Sequence, residues 1–159
     1  MAIKFNAKEV FEIAVKVEEN GAAFYRLAAD MHPKHAGLLG KLAAMEDEHK
    51  VTFAAMGKAL SDLGGDVMND PNEEAFLYLK SIADTHGGEG ALGTAQKMSG
   101  NETIQDILDI AIQAEKRSIL FYVGLEDLVP ESLGRKHIDR IIAEEKQHVV
   151  TLLSEQNRL

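Results

Sequence analysis

Two short stretches carry the same pair of side chains at the same spacing: "MEDEHK" at 45–50 holds Glu46 and His49, and "EEKQH" at 144–148 holds Glu145 and His148. Three residues apart on a helix is one turn, so each Glu-x-x-His pair points from a single face. In the first stretch that face also carries Leu42, Ala43, Phe53 and Met56. A carboxylate aimed at such surroundings costs several kcal/mol unless something compensates its charge. A metal ion is one such compensation; an ion pair or a histidine bonded to backbone is another.

An internal repeat narrows the choice. "EIAVKVEENGAAFYRLAADM" (12–31) aligns without gaps on "DIAIQAEKRSILFYVGLEDL" (109–128), and "LAAMEDEHKVTF" (42–53) aligns on "IIAEEKQHVVTL" (141–152). Glu18 then falls on Glu115, Phe24-Tyr25 on Phe121-Tyr122, Glu46 on Glu145 and His49 on His148. Glu18 lies 15 residues before Pro33 and Glu46 lies 13 after it; Glu115 and Glu145 lie 15 on either side of Pro130. If the chain reverses near each proline, all six side chains come level. Four carboxylates facing one interior would repel and take up protons. Two divalent cations would balance their charge. A Glu on each of two helices plus a Glu-x-x-His on each of the other two is the di-iron/di-manganese carboxylate pattern of four-helix bundles.

The elements that must position these residues are helical throughout. Apolar residues recur at helical period in long stretches rich in Ala, Leu, Glu and Lys, without the alternation that strands need. Helix A is expected over about 6–31, opened by an Asn6/Glu9 capping box. Helix B is expected over 33–63, ended by Gly64-Gly65. Helix C opens at Thr103 with Asp106 at capping-box spacing and runs to 128. Helix D starts with Pro130 as its first residue and runs to 156. The 37 residues 64–100 hold seven of the thirteen glycines and one helical piece, "EEAFLYLKSIAD". A helix of 25 residues spans about 38 Å, a length that this crossover can retrace. The expected fold is all-α: a four-helix bundle in up-down-down-up order, made of two helical hairpins joined by a long crossover within a single domain, 1–159.

Composition removes several alternatives. The chain has 159 residues, a formal charge of −9 and no Lys/Arg cluster to follow a phosphate backbone, so no nucleic-acid partner is expected. No run of 18 apolar residues suggests a membrane span, and "MAIKFNAKEV" has no signal-peptide core; a cytoplasmic location is expected. There is no cysteine. Any metal must therefore be held by histidine and oxygen donors, which suit iron, manganese or zinc.

"VEENGAAFY", "AEKRSILFY", "EDEH" and "EKQH" resemble the corresponding segments of the rubrerythrin-like proteins of the ferritin-like superfamily, over both hairpins but not the crossover. The resemblance implies a ferritin-like bundle with two iron ions, manganese or zinc being possible substitutes. Glu46 and Glu145 would bridge the ions. Glu18 and His49 would complete one ligand set, Glu115 and His148 the other, and Tyr25 and Tyr122 would hydrogen-bond to the ligands. It also implies a redox enzyme that reduces hydrogen peroxide or dioxygen; the alternative is an iron-storage ferroxidase of bacterioferritin type. Rubrerythrins carry a cysteine-ligated domain that delivers electrons. Without cysteine, this chain would need a separate electron-donor protein. Ser118 stands where rubrerythrins have a further Glu, and Asp47 stands where bacterioferritins have a haem-ligating Met. Gly21 and Ser118, one turn beyond Glu18 and Glu115, would leave room for a small oxidant. The long crossover would permit a homodimer with exchanged hairpins. His32, His35, His86 and His137 are expected in solvent, as are Asp47, Glu48 and Glu144, and the methionines are expected as core filler.

Overall fold

The computed structural model describes residues 7–64, 74–85 and 98–159. Five helices are present among them: α1 (Ala7–Met31), α2 (Ala36–Asp62), α3 (Glu74–Thr85), α4 (Ile104–Leu128) and α5 (Arg135–Gln156). Helix α1 buries Val10, Ala14, Val17, Phe24, Tyr25 and Ala28, and α4 buries Ile107, Ala111, Phe121, Tyr122, Leu125 and Leu128. These are the i, i+3, i+4 stripes that make one face of each helix apolar.

Side-chain contacts fix the helix directions. Glu18 meets Tyr122 while Tyr25 meets Glu115, so α1 and α4 run antiparallel. His49 meets Glu145 while Glu46 meets His148, so α2 and α5 do too. With the hairpins α1–α2 and α4–α5, the order is the expected up-down-down-up. The crossover holds α3, which covers α4: the Tyr78 hydroxyl donates to the carbonyl of Leu120 at 3.1 Å. Gly124 makes this approach feasible, because a Cβ there would strike the Tyr78 ring.

The helix ends follow the sequence unevenly. Thr103 and Asp106 form the expected capping box, with Thr103 Oγ1 accepting from the Asp106 N–H at 3.1 Å and Asp106 Oδ2 from the Thr103 N–H at 2.9 Å. Asn6 and Gly65 lie outside the described residues; Gly64, at φ +94°, ends α2 as expected. The starts of α2 and α5 differ from expectation. Residues 33–35 form a 3-10 turn before α2, and Glu131–Leu133 form another before α5. Pro130 caps that second turn and is not the first residue of the long helix. Gly134, at φ +99°, intervenes and reverses the chain into α5. A left-handed residue breaks helical continuity, and glycine adopts it without the strain a Cβ brings.

Two apolar clusters fill the bundle. One gathers Phe11, Phe53, Leu60, Tyr122, Leu125, Ile138 and Ile141; the other gathers Phe24, Tyr25, Leu39, Leu42, Ile107, Leu108 and Leu152. Between them, at mid-height, lies a layer of charged side chains.

Candidate metal centre

Glu18, Glu46, His49, Glu115, Glu145 and His148 form that layer, and none is more than 4% exposed. All six residues singled out in the sequence meet there. They divide into two groups, Glu18/Glu46/His49/Glu145 and Glu46/Glu115/Glu145/His148, in each of which one donor atom per residue lies within 4.8 Å of all the others. Glu46 and Glu145 belong to both. Both Nδ1 atoms face the centre: His49 Nδ1 is 2.8 Å from Glu145 Oε1 and 3.4 Å from Glu18 Oε2. His148 Nδ1 is 3.1 Å from Glu145 Oε2 and 3.3 Å from both Glu46 Oε1 and Glu115 Oε1. The rings lie 5.8 Å apart, tilted by 21°.

The tyrosines act across the bundle. Tyr25 donates to Glu115 and Tyr122 donates to Glu18, each serving the glutamate of the other hairpin. Tyr122 takes up Glu18 Oε1 and leaves Oε2 facing His49, whereas Tyr25 bonds the same oxygen of Glu115, Oε1, that faces His148.

Burial, with Glu145 nearby, pushes the Glu18 carboxyl above its ordinary value. Glu46 and Glu145 are pushed well up, first by burial and then by the carboxylates around them. For Glu115 burial acts upward too, but hydrogen bonding with Glu145, His148 and Tyr25 brings the carboxyl below its ordinary value. Burial opposes charge on the histidines, yet their carboxylate partners outweigh it, raising His49 to about 11 and His148 to about 12. The metal-free centre thus compensates its carboxylates with protons. That compensation is incomplete: Glu18 Oε2, Glu46 Oε1, Glu145 Oε1 and His49 Nδ1 are buried at ion-pair distance from a neighbour but without an aligned hydrogen bond. Buried polar atoms are rarely left so. Four carboxylates, two imidazole nitrogens and inward-facing orphaned donors fit a pair of divalent cations, in number, in charge and in chemical type.

A small cavity adjoins the centre, lined by Gly21, Tyr25, Glu46, Glu115, Ser118 and Phe24; its volume, counted as space for a water's centre, is about 20 Å³. That suffices for about one water. Gly21 helps to keep it open, since a Cβ there would sit 2.9 Å from Glu46 Oε2.

One residue of the site was missed in the sequence. Glu144 is not simply solvated: its Oε2 lies 2.8 Å from His49 Nε2. The repeat gave no signal for it, because the matching residue is Met45. His32 and His35 are also tethered rather than free, His32 Nε2 to the Glu102 carbonyl at 2.9 Å and His35 Nδ1 to Glu155 Oε1 at 3.0 Å. His137 is half-buried, and His86 lies outside the described residues. Asp47 pairs with Arg26 at the surface and Glu48 is exposed, as expected.

No family model matches the chain, and no curated protein matches it. Its fold is that of a solved protein of Thermotoga maritima, provisionally described as a ferritin-like diiron-carboxylate protein: the TM-score is 0.68 at 24% identity, over 96% of this chain and 95% of that one. The ferritin-like bundle is therefore the architecture of this chain. No helix among the described residues is long and apolar enough to cross a membrane.

Proposed function

We propose that this chain is a dinuclear iron protein of rubrerythrin-like type, reducing hydrogen peroxide or dioxygen with electrons from a separate donor protein. The observation that carries this reading is the pair of four-residue groups sharing Glu46 and Glu145. Shared carboxylates are what a two-ion centre requires and what a single-ion site does not. Glu18 and His49 would complete one ion's ligands, Glu115 and His148 the other's. The Thermotoga maritima protein, by its description, belongs to the same chemical class.

A pair of ferrous ions would supply two electrons, one from each, enough to break the O–O bond of hydrogen peroxide and, with two protons, yield two waters. The chain's own groups set the conditions. The apolar clusters on either side exclude bulk water, which strengthens every charge interaction in the layer. Tyr25 and Tyr122 hold Glu115 and Glu18 in place. The cavity beside Glu46 and Glu115 has room for a molecule of a few atoms, which favours a small oxidant over an organic substrate. Manganese or zinc would fit the same donors.

The test is metal analysis of anaerobically purified protein, followed by mixing of the reduced form with peroxide and, separately, with air. Two iron ions per chain and faster oxidation by peroxide are expected. A single zinc, no metal after reconstitution, or a large mineral-filled shell in light scattering would overturn the reading.

A further inference from the structure

The repeat that builds the centre is imperfect, and one imperfection lies directly behind the histidines. His49 and His148 occupy matching positions, are each 2% exposed, and both turn Nδ1 toward the carboxylates. Their outward nitrogens differ. His49 Nε2 has Glu144 Oε2 at 2.8 Å. His148 Nε2 is buried with no hydrogen-bond partner. The sequence supplies the reason. Glu144 immediately precedes Glu145 in α5, and the residue that precedes Glu46 in α2 is Met45. A thioether is a weak acceptor and carries no charge.

An imidazole whose outer N–H donates to a carboxylate is fixed in tautomer and rotation, and its inner nitrogen becomes a stronger donor to a cation. Loss of such an outer partner weakens metal binding by about 10–100-fold. One half of this centre has that partner and the other lacks it. Of the central side chains the cavity adjoins Glu115, which belongs only with His148, and Glu46, which both groups share, so the half without the partner has room for a small molecule.

We infer that the two halves are inequivalent: the Glu18/His49 half, with Glu144 as its positioning residue, takes the first divalent cation, and the Glu115/His148 half takes the second more weakly. This rests on the dinuclear reading above. The difference is about 10–100-fold in affinity, the size of one outer hydrogen bond.

Mn(II) tests it without any redox step. The metal-free full chain is titrated with Mn(II) and followed by calorimetry and electron paramagnetic resonance. Two steps are expected: the first ion gives the six-line signal of isolated Mn(II), and the second replaces it with the spectrum of a coupled pair. Glu144→Leu should weaken the first step by about 10–100-fold and leave the second nearly unchanged, while Glu144→Asp keeps part of the difference. Met45→Glu, which offers His148 the missing acceptor, should tighten the second step. It also serves as the test if Glu144→Leu does not fold. Two equal steps in the natural chain, a coupled signal from the first addition, equal weakening of both steps by Glu144→Leu, or no change on Met45→Glu would overturn the inference. Uptake of one ion only, or of none, would overturn the dinuclear reading and this inference with it.

Discussion

Tyr25 gives its hydroxyl hydrogen bond to Glu115, on α4, and not to Glu18, which precedes it by two turns on its own helix. Tyr122 returns the arrangement by donating to Glu18. The two hairpins are thus tied to each other through the centre, and each carboxylate is oriented from across the bundle. Hydrogen bonds to charged groups contribute about 1.5–3 kcal/mol. Tyr25→Phe keeps the ring and removes the bond, so it should lower stability in chemical denaturation by about that amount. Adding Glu115→Gln to Tyr25→Phe should cost less than the sum of the single changes. Strict additivity would mean that the pair does not interact in solution.

The metal-free protein should become less stable as pH rises. Burial and neighbouring carboxylates hold Glu46 and Glu145 well above their ordinary value of 4.5, so the fold keeps protons that the unfolded chain has released. Stability is then lost as pH climbs from the unfolded carboxylate range through the folded values. The histidines act with the same sign: their contribution is complete below the unfolded value of 6.5 and lost as pH rises through about 11 for His49 and about 12 for His148. Each retained proton adds a slope of about 1.4 kcal/mol per pH unit within its window. The melting temperature of metal-free protein should therefore fall between about pH 6 and about pH 9. Metal-loaded protein should melt higher at neutral pH, by mass action. That gap should narrow toward about pH 5, where protons compete for the ligands. A metal-free melting temperature that rises with pH would contradict the raised carboxylates.

Glu46→Gln combined with Glu145→Gln should abolish dinuclear metal binding, because it removes both carboxylates common to the two groups. The same double variant should melt higher than the natural metal-free chain at neutral pH. It relieves the two carboxyls that burial and mutual repulsion push furthest upward, and leaves Glu18 and Glu115 facing two charged histidines. A lower melting temperature would show that the carboxylates do not repel one another in a shared interior.

Gly21→Ala on α1 and Gly40→Ala on α2 separate an effect on the site from an effect on helix stability. Alanine favours a helix by about 1 kcal/mol over glycine. At Gly40 no atom lies within 4 Å of the new methyl, so stability should rise by about 1 kcal/mol with metal binding unchanged. At Gly21 the methyl would meet Glu46 Oε2 at 2.9 Å and Cδ at 3.3 Å, and the end of that side chain must move. Metal affinity at both groups, which share Glu46, should then fall by about 10-fold or more, read by titration of the metal-free chain. Unchanged affinity in Gly21→Ala would mean that the Glu46 carboxylate does not need its present position.

Much of this molecule is determined by local pattern. Helical periodicity marks α1, α2, α4 and α5, and the Thr103/Asp106 box sets the start of α4, because both depend only on residues within a turn of one another. The duplicated Glu and Glu-x-x-His segments identify all six central side chains, since equal distances from a chain reversal bring residues to equal height. Tertiary structure decided the rest. The pairing of Tyr25 with Glu115, of Tyr122 with Glu18 and of Glu144 with His49 depends on how each helix is rotated about its axis against its neighbour. Spacing along one chain does not encode that rotation. Gly134 in the left-handed region, not Pro130, opens α5, because a 3-10 turn follows Pro130 and the left-handed residue breaks its continuity with the long helix. The sequence brings four carboxylates and two histidines to one level and puts Glu144 in one hairpin where the other has Met45; the packing of the four helices brings Glu144 against His49 and decides which oxygen faces which nitrogen.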